Sequence, residues 1–428
     1  MRRAAPAGAV GAAADRRARR ARGAVTTIFC LNGFLAALWV AHIPVITERT
    51  GTGHELLGAF LLLIGAAAFI GMQMCGPLID RIGSRPTTIV AAVILCPVML
   101  GPVLATGPAG LAAALVAFGF VNGSLDVSMN AQAVQVERAY GRPIMSAFHG
   151  FFSVGGLAGS GVVAVGLWLG WPVAATVGVL AGCGLVVVAV VARGLVDRDY
   201  GHEPVDADAP DDTDPATRWW HGIDLRRLIL LAAVAFAAML AEGTAYDWSA
   251  LHVVETFGVR DAIGAIAFGC FSAAMMVARF VIDPIVGRVG AVAVVRYGAV
   301  IGMIGISIAL IPSAVGTAPA VLGIVGWTVF GIGLAGLIPQ IFTAAGNLTA
   351  RSSGRAISVV VGCGYLGMLA GPAVVGFISG QSTLRLGLTP VVAMLTFAAL
   401  AAGVVAPRRD TGPDGDRGDQ PPPAVVPH

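Results

Sequence analysis

Gly76-Pro77-Leu78-Ile79-Asp80-Arg81-Ile82-Gly83-Ser84-Arg85 is a short charged break between two long apolar stretches, 55–78 and 87–105. A helix of about 20 apolar residues crosses a hydrocarbon core of about 30 Å, because nothing in lipid can satisfy an open backbone. Outward from this break, stretches of the same kind recur at 24–46, 110–134, 143–168, 171–193, 228–252, 261–282, 293–313, 318–346, 354–380 and 384–406. They predict an all-α membrane protein of twelve transmembrane helices. Composition agrees: 57% of the residues are hydrophobic and 12% charged, against roughly 25% charged in a soluble domain, and the mean hydropathy is +0.83.

The break has an echo. Gly76-x-x-x-Asp80 after the second stretch recurs as Arg279-x-x-x-Asp283 after the eighth, and Arg81-Ile82-Gly83 is answered, after a short insertion, by Arg288-Val289-Gly290. Gly141-Arg142-Pro143-Ile144 before the fifth stretch matches Gly354-Arg355-Ala356-Ile357 before the eleventh, and Gly155 and Gly159 match Gly367 and Gly371. Glycines four apart let helix backbones approach closely in lipid. Such a 6 + 6 parallel repeat is the signature of a transporter with its site between two halves.

The expected organisation is an Arg-rich tail (1–23), a first six-helix bundle (24–193), an acidic linker (194–225), a second bundle (226–406) and a disordered tail (407–428). Every basic residue of the Lys/Arg class is Arg. With the N-terminus inside, Arg81, Arg85, Arg138, Arg142, Arg193, Arg198, Arg218, Arg226, Arg227, Arg279, Arg288, Arg296, Arg351 and Arg355 all fall on the inner side, and only Arg49, Arg260 and Arg385 on the outer. The positive-inside rule therefore places both termini in the cytoplasm. The tail before Ala24 is read as solvated or touching lipid, not as a nucleic-acid arm.

Polar residues inside an apolar span are costly and point to a cavity. Asn122, Asp126 and Asn130 recur every fourth residue and share one helix face. Glu242, Asp247 and Trp248 fall in the seventh stretch, Asn32, Trp39 and His42 in the first, His149 and Ser153 in the fifth, and Trp327 and Gln340 in the tenth. The third, sixth and twelfth stretches have almost no polar interior and are expected to face lipid. Asp126 lies about 18 Å along its helix from Arg138, and Glu242 about 22 Å from Arg227. With no Arg expected deep in any span, both acids are read as lacking a fixed cation, which suits reversible protonation or cation binding. An Asn-paired helix contact is the other reading of Asp126. Asp247 sits near the outer end. Trp39, Trp248 and Trp327 are candidates to touch a substrate, with an interfacial belt as the alternative.

Several familiar spellings carry no chemistry here. Gly331-Ile-Gly333-Leu-Ala-Gly336 and Gly362-Cys-Gly364-Tyr-Leu-Gly367 lie inside apolar spans with no preceding strand, so they are packing glycines and not a dinucleotide site. No P-loop, nucleophile elbow or second zinc-site His appears. The six cysteines have no paired spacing. An enzyme is not expected, and neither is a metal or a cofactor.

The stretch Gly76-Pro-Leu-Ile-Asp80-Arg81-Ile-Gly83-Ser-Arg85 resembles the signature G-x-x-x-D-R-x-G-R-R of the major facilitator superfamily, with Ser84 in place of a basic residue. The resemblance implies that Asp80, Arg81 and Arg85 form a charge cluster that latches the halves during alternating access, with Gly76 and Gly83 shaping the loop and Asp283 and Arg288 as the second copy. Leu31-Asn32-Gly33-Phe34, Trp39-Val-Ala-His42-Ile-Pro44, Leu125-Asp126-Val-Ser-Met129-Asn130-Ala-Gln132, Pro143-Ile-Met-Ser-Ala-Phe148-His149 and Glu242-Gly243 with Asp247-Trp248-Ser249 are similar to one bacterial branch, which includes the membrane protein of the rhizopine locus. Members often carry Arg where His42 stands. The expectation is a monomeric secondary transporter of the bacterial inner membrane, coupling protons to uptake of a small sugar- or polyol-like solute. The alternatives are an exporter of an amphipathic metabolite or drug, and a non-transporting membrane sensor.

Overall fold

The computed structural model describes residues 7–197, 200, 223–311, 316–349 and 353–407. Twelve helices among them are long and apolar enough to cross a membrane. They are span 1 (Arg16–Thr50), span 2 (Leu56–Ile82), span 3 (Ser84–Leu104), span 4 (Pro108–Tyr140), span 5 (Met145–Trp168), span 6 (Val173–Gly194), span 7 (Leu225–Phe257), span 8 (Asp261–Val289), span 9 (Ala291–Ala309), span 10 (Pro319–Gly346), span 11 (Ser353–Gln381) and span 12 (Leu384–Val405). No strand occurs among the described residues.

Several spans outrun their apolar stretch. Span 4 is 33 residues, about 50 Å of helix, because Gln132, Gln135 and Arg138 continue the turn after the apolar run stops. The helix containing span 1 starts at Ala7, so it runs into the segment read as a tail. Most of the expected linker, and the tail beyond 407, lie outside the described residues.

Packing repeats in the two halves. Span 1 lies on span 5 as span 7 lies on span 11; span 2 pairs with span 4 and span 8 with span 10. The glycines make the close approaches. A Cβ on Gly159 would stand 2.6 Å from the Phe34 carbonyl oxygen, and one on Gly371 would stand 2.7 Å from that of Leu240. Between the halves, span 2 meets span 11 and span 5 meets span 8. Spans 7, 1 and 10 are the most enclosed and span 6 is among the least. Spans 3 and 12 are more enclosed than an all-apolar surface suggested, because apolar side chains serve a helix interface as well as lipid.

The signature break and its echo form the same turn. Gly83 ends span 2 at φ +91° and Gly290 ends span 8 at φ +83°. That backbone favours glycine, since a Cβ there would press on the neighbouring carbonyl.

Candidate functional site

All loops bearing the signature and its echo lie on one side of the molecule, here called the Arg-rich face. Two carboxylates seal the halves there by one device. Asp80 of span 2 accepts hydrogen bonds from the backbone N–H of Gly354 (2.9 Å) and Arg355 (3.3 Å) at the start of span 11. Asp283 of span 8 accepts from Ser146 (2.9 Å) and Ala147 (2.8 Å) at the start of span 5. A helix start offers unpaired N–H groups and partial positive charge, which a carboxylate satisfies. Each acid thus caps a helix of the opposite half.

The seal continues around these caps. Glu137 of span 4 accepts from Thr343 (2.8 Å) of span 10 and also from Ile144 and Met145. Arg138 donates to Asn347 at 2.6 Å and to the Gly346 carbonyl. Gln340 donates to Ser146 at 3.4 Å, and Ser358 to the Met72 carbonyl at 2.8 Å. Gly76 allows the approach: a Cβ there would meet the Ser358 side chain at 2.6 Å.

The expected charge cluster is corrected in part. Asp80 reaches across to span 11, with Arg355 3.8 Å away, while Arg85 turns to Asp197 of its own half at 2.8 Å. Arg81 and Arg288 are exposed. The hydroxyl of Ser84, at the unusual position, is held by Gln132 and Gln135.

Deeper between the halves lies a polar belt. Arg279 of span 8, with 6% of its side chain exposed, pairs with Glu242 of span 7 at 3.1 Å. The same guanidinium donates to Ser153 of span 5 at 3.0 Å, so it joins the halves. This overturns the expectation that no Arg sits inside a span and that Glu242 lacks a fixed cation. Arg279 stands one turn inside Asp283, where the first half has Gly76, and the sequence reading placed it in the loop.

Asp126 is different. It is 7% exposed, its Oδ1 has one long contact with Asn130 (3.5 Å), and its Oδ2 has no hydrogen-bond partner. No ion pair reaches it among the described residues. Asn130 spends its amide on the Asp126 carbonyl at 2.8 Å. Asn32 meets Met129 at 3.7 Å, and carbonyl oxygens of Asn32, Asn122 and Asn130 are buried without partners. His149 does not bond to Asn130 or Asp126; its ring packs against Phe29 at 5.3 Å and Phe342 at 5.9 Å. Tyr365 is in electrostatic reach of both Asp126 and Glu242, and Tyr246 of Glu242 and Arg279. Neither tyrosine stood out in the sequence. Tyr365 was hidden in a glycine run read as packing, although a phenol in such a run is itself a polar signal.

Other expected residues fall elsewhere. Trp327 is fully buried and donates to His252 at 3.3 Å, edge-on to Phe330. It is a core ring of the second half and not a cavity wall. Trp39 is 4% exposed. Gln340 belongs to the seal. Asp247 is exposed and Trp248 half-buried toward the opposite face, beside Gly376. His42 binds the Leu38 carbonyl at 2.8 Å. Trp168 and Trp171 are exposed at the turn between spans 5 and 6. Among the described residues, hydrogen bonds between the halves run from Arg279 to the Arg-rich face. The passage is therefore closed on that side.

A family model described as Major Facilitator Superfamily matches residues 25–325. An uncharacterized MFS-type transporter of Yersinia pestis is 34% identical over 378 residues, covering 88% of this chain and 94% of its own. Membrane protein MosC of Rhizobium meliloti is 27% identical over 388 residues, covering 89% and 88%. Among solved structures, FucP in the outward conformation superposes with a TM-score of 0.69 at 14% identity, covering 89% of this chain and 98% of its own. A further structure of FucP describes it as the fucose:proton symporter of E. coli.

Proposed function

The chain belongs to the Major Facilitator Superfamily, and we propose that it is a proton-coupled transporter taking up a small polar solute of the sugar or polyol kind by alternating access. The observation that carries this reading is the pair of unlike acids between the halves, Glu242 held by Arg279 and Asp126 held by no cation among the described residues. Protonating Glu242 strands a buried guanidinium, which is costly; protonating Asp126 strands nothing. Asp126 is therefore assigned the proton and the Arg279–Glu242 pair the solute. A guanidinium beside a carboxylate offers donors and acceptors side by side, as a polyhydroxylated solute requires. The fold shared with a fucose:proton symporter is compatible with this class.

The Arg-rich face is assigned to the cytoplasm by the positive-inside rule, so the closed seal corresponds to an outward-facing state of a bacterial inner-membrane protein acting as a monomer. The test is a ligand screen by thermal stabilisation of the purified protein, because a binder stabilises by RT ln(1 + [L]/Kd). Sugars or polyols should raise the melting temperature of the wild type and fail to do so in Ser153→Ala with Arg279→Met. Stabilisation by amphipathic drugs alone would overturn uptake of a polar solute and favour the exporter.

A further inference from the structure

The helix of span 1 runs on beyond the apolar stretch, and its phase sorts the Arg residues there into two faces. Arg16, Arg17 and Arg20 fall within about 100° of one another, with Arg19 and Arg22 on another side. The first face is part of a cavity of about 560 Å³, completed by Arg85 at the start of span 3 and Arg193 in the last turn of span 6. That volume lies in the range of small-ligand sites.

The cavity is built, not a chance gathering of surface side chains. Its lining includes Gly194, Leu195 and Val196, of which the last two are buried. Gln132 of span 4 grips Val196 at both N–H (2.9 Å) and carbonyl (2.7 Å). Gly194 lies so close to span 1 that a Cβ on it would meet Ala24 at 2.8 Å. Arg17 sits over the Tyr200 ring at 5.0 Å.

Five guanidinium groups line this space and the lining holds one carboxylate, Asp197, which Arg85 engages at 2.8 Å. Like charges converging on one cavity repel unless an anion joins them. Arg is also the side chain whose planar fork fits phosphate oxygens in pairs. Position supplies the source: Arg20 precedes the apolar run of span 1, Arg193 closes span 6 and Arg85 opens span 3, so all three mark one edge of the bilayer. Headgroup phosphates stand at that level, and basic clusters adjoining a span attract anionic lipid.

We propose that this cavity binds a phosphate-bearing anion, supplied by the headgroup of an anionic phospholipid. Every lining residue belongs to the first half, so the lipid fastens the helix extension to the start of span 3 and to the end of span 6, whichever way the transporter faces.

The experiment uses the full chain in nanodiscs of phosphatidylcholine, with or without phosphatidylglycerol, and reads lipid retained by native mass spectrometry together with the melting temperature. Phosphatidylglycerol should be retained and should stabilise the wild type. The triple variant Arg16→Gln, Arg20→Gln and Arg193→Gln should bind it roughly a hundredfold more weakly, while Arg226→Gln, Arg260→Gln and Arg288→Gln together leave it bound. Equal losses in both variants would reduce the effect to net charge and overturn the site. Equal stabilisation by inorganic phosphate or glycerol 3-phosphate in phosphatidylcholine discs would overturn the lipid as source. Retention that appears only after Asp206, Asp208, Asp211 and Asp212 are changed to Asn would assign the cavity to the chain's own acidic segment and overturn the proposal.

Discussion

Replacing Asp80 or Asp283 by Asn should loosen the same seal by the same amount. Each carboxylate accepts two backbone N–H groups from the first turn of a helix in the other half. Hydrogen bonds to a charged group contribute about 1.5–3 kcal/mol each. An Asn keeps one acceptor oxygen and no charge, so each substitution should cost the closed state about 2–3 kcal/mol, roughly 30- to 150-fold in its equilibrium with the open one. Spin labels on Ile82→Cys and Val289→Cys, in a background with the six native cysteines replaced by Ser, report this directly, since both positions are exposed at the Arg-rich ends of spans 2 and 8. Double electron–electron resonance should show one short distance in the parent and a longer population in either Asn variant, larger still in the double variant. An unchanged distance distribution in both single variants would refute the capping argument. A response to Asp80→Asn alone would refute its two-fold character.

Three more outcomes follow from the packing. Glu242→Gln leaves Arg279 buried without a counter-charge, though still bonded to Ser153, and should lower stability by about 3–5 kcal/mol, with much of the loss restored when Arg279→Met is added; thermal unfolding in detergent checks both steps. Gly83→Ala and Gly290→Ala should each cost about 1–2 kcal/mol, because both turns hold φ near +90°, whereas Gly23→Ala, inside a helix with open space around it, should stabilise by about 0.5–1 kcal/mol. Trp327→Ala should destabilise by about 3–5 kcal/mol through the cavity left in the second half without changing solute affinity, and a calorimetric titration that shows weakened binding at unchanged stability would return this ring to the site.

The twelve spans were legible because hydropathy reports the solvent of a helix, and the two-fold repeat was legible because Gly83 and Gly290 must both adopt positive φ. What could not be read was which side chains meet. Asp80 looked like a partner of the adjacent Arg81 and Arg85, but its acceptor oxygens go to a helix start 274 residues away. Arg279 looked like an interfacial charge because it stands one turn from a loop; its burial depends on span 5 closing over it with Ser153. Trp327 shows the same limit from the apolar side. An indole in an apolar run carries no mark of which helix face is the core, and only the packing of His252 and Phe330 decides it. Asp126, Asn130 and Asn122 were placed on one face correctly, since four-residue spacing on a helix needs no partner to interpret.

Proton coupling through Asp126 is tested most directly in proteoliposomes loaded with the solute found by the thermal screen, comparing pH-driven accumulation with counterflow. Asp126→Asn should abolish accumulation while exchange of labelled for unlabelled solute continues, because exchange needs no net cycle of protonation. A variant that still concentrates solute with the pH dependence of the wild type would contradict the assignment of the proton to Asp126, and so would one that loses counterflow along with accumulation.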